Sequence, residues 1–394
     1  MVNGELYSRR VGEMPVSAIH EMTRLAAGLS GVVSLSWARP EGDTPQHISE
    51  AAIRAIRDNL VSAYSPVPGL PELREAIAEK LRRDNGIEAT AAEVLVTVGA
   101  IEGLFAAVLA VVDPGDEVIM PSPTYSTHAV QVRMASGVPV FVPLLEEEGF
   151  KLDLDTLEKS VTSKTKAILF CSPSNPTGTV FSKEELLGIA EVAERHNLVI
   201  ITDESYEYFV FDDAEHFSIA SVPELKSRTV SCFTFTKTYV MTGWRVGYLV
   251  ATEEMVEQIR KAHIPMSICA PVVSQYAALA ALKGPQDCVE AFRAKYEKLR
   301  DLMCKRLDAM KTLFGYCRPT GAYNMFPRIL HPDLQDSFSF CKDVLFGARV
   351  SLTPGVAFGP TAEGHVRMSF CSSEKAINEA FDRMAEFFGS RGLL

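Results

Sequence analysis

No two of the eight cysteines form a CxxC pair, and none of the eight histidines belongs to an HExxH or similar cluster. The cysteines at 171, 232, 269, 288, 304, 317, 341 and 371 therefore read as buried small hydrophobes in a reducing compartment, and no metal site is expected. Positive charge is also short: 39 Lys and Arg against 50 Asp and Glu leave a net charge of −11. Such a chain lacks the field that a nucleic-acid backbone or an anionic membrane would require. No apolar run approaches the roughly 18–20 residues of a spanning helix, and the polar first ten residues lack the apolar core of a signal peptide. Internal repeats and low-complexity segments are missing as well. The expectation is a cytoplasmic protein whose partners are small molecules, with no nucleic acid and no membrane.

Apolar residues are plentiful: 47% of 394 residues supplies one large core and a smaller one. An amphipathic stretch at 16–29 and a short strand candidate at 32–35 form an N-terminal arm, closed by Trp37-Ala38-Arg39-Pro40. Helix signals cover 45–60, and Pro66, Pro68, Gly69 and Pro71 make a rigid loop before a helix at 72–83. Strand and helix patterns then alternate. Strands are expected at 93–98, 117–120, 138–142, 166–170, 198–202, 229–235 and 247–250, with helices from Gly99 to 112, at 127–135, 154–161 and 182–196. The last of these opens on Ser182-Lys183-Glu184-Glu185, the form of a capping box. Continuous Val/Ile/Leu runs between helices indicate an α/β domain with a mostly parallel sheet covered on both faces. After Gly284-Pro285 the pattern shifts to a long helix at 287–310, short strands near 323–326, 349–352 and 365–369, and a final helix at 374–388. Two domains follow from this: residues 45–283, and a smaller α+β domain built from 1–44 and 284–394.

Chemistry concentrates where strands end. The run from Phe233 to Tyr248 sets Lys237 just after an apolar strand and Arg245 eight residues later, with Gly243 and Gly247 between apolar runs. A lysine at the edge of a sheet can be desolvated, so that its neutral amine condenses with an aldehyde. An arginine fork suits a phosphate. The two together are what pyridoxal 5′-phosphate needs. Two further clusters sit at strand ends: Ser-Pro-Ser-Asn-Pro-Thr-Gly at 172–178, which presents Asn175, and Asp203-Glu204-Ser205-Tyr206. Each residue alone has a structural use, Lys237 as a surface lysine, Asp203 as a helix N-cap, Tyr125 and Tyr64 as core aromatics.

In combination these motifs, with Thr-Phe-Thr-Lys at 234–237, Gly-Trp-Arg-x-Gly-Tyr at 243–248 and His-Val-Arg-Met-Ser at 365–369, resemble the pyridoxal-phosphate-dependent aminotransferases of fold type I, across 45–388. The resemblance implies a ping-pong transfer of an amino group from an α-amino acid to a 2-oxo acid. It implies that Lys237 holds the cofactor as a Schiff base and moves the proton, and that Asp203 keeps the pyridine nitrogen protonated. Tyr206 and Asn175 would donate to the ring oxygen, and Tyr125 would stack on the ring. The phosphate would meet the amides of Gly99, Ala100 and Ile101 at a helix N-terminus, with Thr234, Arg245 and, from the neighbouring subunit of a homodimer, Tyr64. Arg367, helped by Asn175 and backbone near Ala38, would grip the substrate carboxylate. The same fold also hosts β-elimination lyases, cyclases and oxidases, which stand as the alternative outcome.

Departures from the family pattern concern the substrate. Ala38 and Arg39 stand where the family usually has a glycine ahead of Glu-Pro, and Ile101 stands where aspartate enzymes often carry a lysine or a hydroxyl residue. With Tyr323 and Asn324 also expected at the pocket, an apolar, aromatic or small amino acid is favoured over aspartate, unless Arg39 turns inward as a cation for a side-chain acid.

Overall fold

In the computed structural model, residues 6–14 and 16–394 are described; the first five residues and Pro15, part of the expected N-terminal arm, lie outside the described residues. Short runs rich in Val, Ile and Leu make an eight-stranded sheet: β1 Val94–Thr97, β2 Glu117–Ser122, β3 Val138–Leu145, β4 Lys151–Leu152, β5 Thr165–Cys171, β6 Val199–Asp203, β7 Thr229–Thr234 and β8 Gly247–Val250. Their order is β1-β8-β7-β6-β5-β2-β3-β4. Every residue of β1, β7 and β8 is buried, as expected of strands covered on both faces.

Pairing is parallel from β3 through β2, β5 and β6 to β7. It is antiparallel at β8, which runs against both β7 and β1, and at the edge strand β4. The reversal at β8 has a local cause. Residues 235–246 join β7 to β8 with only the one-turn helix Phe235–Thr238 and a 3₁₀ turn, Thr242–Trp244, and hold no helix of the kind that usually carries a parallel crossover. In consequence the carboxyl ends of β1, β2, β5, β6 and β7 and the start of β8 share one edge.

The capping box is formed as read: Ser182 Oγ accepts from Glu185 N at 3.1 Å, and Glu185 Oε2 accepts from Ser182 N at 2.8 Å. Three long helices escape the sequence pattern, Glu253–Ser267, Val272–Lys283 and Ser337–Ala348. The first carries Pro265 inside it. The second buries the polar Ser274 and Gln275 along with Ala277, Ala278 and Ala281, and its residues before Lys283 are otherwise only partly exposed, so no polar face marks its period.

The remaining chain packs around a three-stranded antiparallel sheet in which Val366–Ser369 lies between Asn324–Met325 and Thr353–Pro354. The helices Asp287–Asp308, Ser337–Ala348 and Glu374–Gly389 cover it. From the N-terminal part, Val33–Ser34 pairs in parallel with Val350–Ser351, and Met22 and Leu35 enter the same apolar cluster. That cluster also takes in Cys171, Tyr206 and Phe209, so it abuts the carboxyl edge of the large sheet.

Candidate active site

At that shared edge lies a cavity of about 310 Å³. It gathers Ala38, Ala100, Ile101, Tyr125, Asn175, Asp203, Tyr206, Thr234, Lys237, Arg245 and Arg367, eleven of the residues singled out in the sequence. Gly99 lies beside it, against Arg245.

Lys237 is in the turn that follows β7, and its Nζ donates to Ala38 O at 3.0 Å. The ammonium lies over the rings of Tyr206 and Tyr323, 5.6 and 5.5 Å from their centroids. Desolvation is the main influence on it, reinforced by the positive charges of Arg367 and Arg245 and opposed by Cys371 and Asp203; together they pull its pKa down to about 8. Near neutral pH a useful fraction of the amine is therefore unprotonated.

Asp203 ends β6 and is only 6% exposed. Burial acts to raise its pKa, but hydrogen bonds and charge overcome that and hold it below the usual carboxylate value. The bonds come from His128 Nε2 to Oδ2 at 3.2 Å, and from Ser205 N and Oγ to Oδ1 at 3.1 and 2.5 Å. His128 is a residue that sequence reasoning missed. It stands in the helix Ser126–Met134, and its ring meets Tyr125 edge-on with centroids 5.5 Å apart. A lone histidine in a helix of weak polarity carries no local signal, and only the fold brings it to Asp203.

An anion cradle forms where β1 turns into the helix Ala100–Val111. Gly99 has φ 76° and ψ 165°, a conformation that essentially only glycine adopts, and a Cβ there would lie 2.7 Å from Arg245 Nη2. A Cβ on Gly247 would come 2.6 Å from Ala100 N, so glycine there also lets the start of β8 lie against this loop. The amides of Ala100 and Ile101, at the start of this helix, have no intrahelical acceptor, and both residues line the cavity. Arg245 is anchored by Nη1 to Thr242 O at 3.1 Å and Nη2 to Val98 O at 3.4 Å, beside the hydroxyls of Thr234 and Thr236, which are 2.8 Å apart.

Arg367, on the central strand of the smaller sheet, is 4% exposed. Nη2 donates to Ser36 O at 2.5 Å and Thr353 Oγ1 at 3.3 Å, and Nη1 donates to Asn175 Oδ1 at 3.2 Å. Nε has no partner among the described residues. A buried guanidinium with an unused donor beside a cavity is suited to a carboxylate.

Besides Gly99, four of the expected residues are not on the cavity wall. Arg39 is exposed and lines a separate depression with Asp43, Thr44 and Trp244, so it does not turn inward. Tyr64 is 76% exposed, beside Cys269 and Pro271, and is no core aromatic. Tyr323 is fully buried behind the wall, its hydroxyl donating to Ala38 O at 3.2 Å. Asn324, also fully buried, leaves both amide atoms without a partner among the described residues. In their place, Ser17, Ile19 and His20 from the start of the helix Ala18–Ala27, together with Ser36 and Trp37, complete the wall. Nothing in the amphipathic pattern of 16–29 distinguished these residues from an ordinary docking face. Among the described residues no group of three or more His, Cys, Asp or Glu could hold a metal ion, and all eight cysteines are free.

The family model described as aminotransferase class I and II matches residues 30–384. The aspartate aminotransferase of Pyrococcus abyssi is 41% identical over 389 residues, 98% of this chain and 99% of that protein. Aromatic-amino-acid aminotransferase 2 of Thermococcus litoralis is 39% identical over 98% of this chain and 99% of its own length. Among solved structures, the aspartate aminotransferase from Thermus thermophilus with maleate superposes with a TM-score of 0.91 at 37% identity, covering 97% of this chain and 99% of that one.

Proposed function

The chain belongs to the aminotransferase class I and II family and is a transaminase, and we propose that it uses pyridoxal 5′-phosphate to move the amino group of an apolar, aromatic or small amino acid to a 2-oxo acid. The observation that carries the cofactor reading is the pairing of a desolvated amine with an anion cradle in one cavity: Lys237, its pKa drawn down to about 8, and Gly99 opened against Arg245. The donor set fits the group, since an aldehyde needs a free amine, a phosphate needs amides and a guanidinium, and a pyridinium needs a carboxylate that stays ionised. When bound, the cofactor supplies the aldehyde that takes the amino group and the ring that accepts the electron pair left on the substrate Cα.

The rest of the work falls to the chain. The Lys237 amine is the attachment point and, once freed, the base that carries the Cα proton. Asp203, kept ionised by His128 and Ser205, holds the proton on the pyridine nitrogen. Asn175 and Tyr206 would donate to the ring oxygen, and Tyr125 would cover the ring. Gly99, Ala100, Ile101, Thr234 and Arg245 would take the phosphate. Arg367, oriented by Ser36, Thr353 and Asn175, binds the α-carboxylate and so sets the direction of the Cα–H bond.

Substrate class is read from charge. Lys237, Arg245 and Arg367 each have a task, Arg39 faces outward, and the wall beside them carries Ile19, Trp37 and Ile101, with His20 at the edge. No arginine or lysine remains for a distal carboxylate among the described residues of the wall. The relatives include both aspartate and aromatic-amino-acid aminotransferases, so membership alone does not choose. The test is a half-reaction screen, in which amino acids are added singly to the loaded enzyme and the shift of the cofactor absorption to its amino form is recorded. Aromatic and large aliphatic amino acids should drive it at lower concentration than aspartate. An enzyme converted best by aspartate would refute the substrate reading, and one converted by no amino acid would refute transamination of this kind.

A homodimer with shared sites is part of this reading. Its support is the exposed apolar series Ile53, Ile56, Leu60 and Tyr64, with Ile268 preceding the Cys269 to Val272 segment that Tyr64 adjoins. Sedimentation at equilibrium checks it. The division into a cofactor-binding domain of 45–283 and a smaller domain of 1–44 with 284–394 is proposed from the separate eight-stranded and three-stranded sheets, with the cavity at their junction. A cytoplasmic location suits eight free thiols. No described helix is long and apolar enough to cross a membrane.

A further inference from the structure

The carbonyl oxygen of Ala38 receives two donors from distant parts of the chain, Lys237 Nζ at 3.0 Å and Tyr323 Oη at 3.2 Å. The neighbouring carbonyls are held too. Cys371 Sγ reaches Arg39 O at 3.1 Å and Trp37 O at 3.7 Å. Residues 37–39 thus present one oxygen, fixed in place, to the reacting amine. Tyr323 meets the site through that oxygen and through its ring, whose centroid lies 5.5 Å from Lys237 Nζ; the side chain is otherwise fully buried in an aromatic cluster with Tyr206, Tyr296 and Phe209, at centroid distances of 5.0, 5.6 and 5.8 Å.

We propose that Tyr323 is a positioning residue for Lys237: its hydroxyl pins the Ala38 carbonyl and occupies one of its lone pairs, giving the free amine a fixed but weakened acceptor. The inference rests on Lys237 being the reacting amine. A carbonyl oxygen has two lone pairs, and a donor on one draws density from the other, so the oxygen stabilises an ammonium less than it would alone. The device keeps the lysine aimed without holding it in its charged form. The other groups facing Lys237 are the Arg367 and Arg245 guanidinium groups, the Asp203 carboxylate, the Cys371 thiol and the rings of Tyr206 and of Tyr323 itself, all of which stay in place when only the Tyr323 hydroxyl is removed.

The test uses full-length protein freed of any bound aldehyde cofactor. It is treated with formaldehyde and cyanoborohydride across about pH 6 to 10, and methylation of the Lys237 peptide is followed by mass spectrometry. In the unaltered protein the rate should rise through a midpoint of about 8. Tyr323→Phe keeps the ring and its packing; its midpoint should move up by about half a unit, slowing modification at pH 8 roughly twofold. Tyr296→Phe is the control, since it removes from the same cluster a hydroxyl that has no partner among the described residues, and it should leave the midpoint in place. An unmoved midpoint in Tyr323→Phe, or an equal shift in both variants, overturns the proposal. A midpoint near the ordinary lysine value in the unaltered protein would instead overturn the assignment of Lys237.

Discussion

His128 Nε2 lies 3.2 Å from Asp203 Oδ2, and both side chains are buried, His128 completely. The carboxylate is held ionised because His128 and Ser205 satisfy it where water cannot. With His128→Asn, kcat/KM should fall about tenfold, the worth of one hydrogen bond to a charged group. The sign of the pH effect follows from the depressed pKa of Asp203. A group whose folded pKa is lowered contributes stability above its unfolded pKa and loses it as pH falls through the folded value. Removing His128 raises that folded value, so the acid limb of activity and the acid unfolding transition should both move to higher pH. A pH profile of kcat/KM with parallel acid titration by circular dichroism checks both.

Lys237 gives the opposite case. Its pKa is drawn down to about 8, mainly by desolvation, from an ordinary value of 10.5. Between those values the unfolded chain binds more protons, so cofactor-free protein gains stability as pH rises from about 8 to 10.5. Lys237→Met removes the buried charge. Its melting temperature should exceed that of the unaltered protein most below pH 8, and the difference should shrink as pH rises. Turnover should drop by about 10⁴-fold, as expected for loss of both base and attachment point.

Gly99→Ala should weaken cofactor affinity about tenfold or more and cost about 1–3 kcal/mol of stability, because the added methyl meets Arg245 Nη2 at 2.7 Å on a backbone conformation reserved for glycine. Equilibrium dialysis of the cofactor, with thermal unfolding of the cofactor-free protein, separates the two effects.

Ile101→Lys places a cation on a wall that has no unassigned lysine or arginine among its described residues. A charge-assisted bond to a distal carboxylate is worth about 1.5–3 kcal/mol, so the ratio of kcat/KM for aspartate to that for leucine or phenylalanine should rise about tenfold. An unchanged ratio would mean that residue 101 does not face the substrate side chain.

Legibility in the sequence followed the range of the interactions. Strands covered on both faces announce themselves as runs such as Val-Ile-Ile-Thr at 199–202, and the Ser182–Glu185 cap is complete within four residues. The helix Val272–Lys283 was silent because it is packed on several sides, and the antiparallel turn-back at β8 shows only once the short link at 235–246 has to be closed in space. Side-chain direction was the least legible property. Arg39 and Ile101 looked equally available for the pocket, yet one faces solvent and the other lines the wall.

What the sequence determined by itself is the set of chemical groups and the order in which strand ends deliver them: Asn175 after β5, Asp203 at the end of β6, Lys237 after β7 and Arg245 before β8. These depend on local chain geometry and on residue type. The tertiary structure alone decided how those groups are tuned. His128 reaches Asp203 across 75 residues, Tyr323 reaches Ala38 across 285, and Arg367 reaches Ser36 across 331. A pKa, an acceptor's strength and a guanidinium's aim are properties of neighbours, and those neighbours meet only after segments far apart in the chain have packed together.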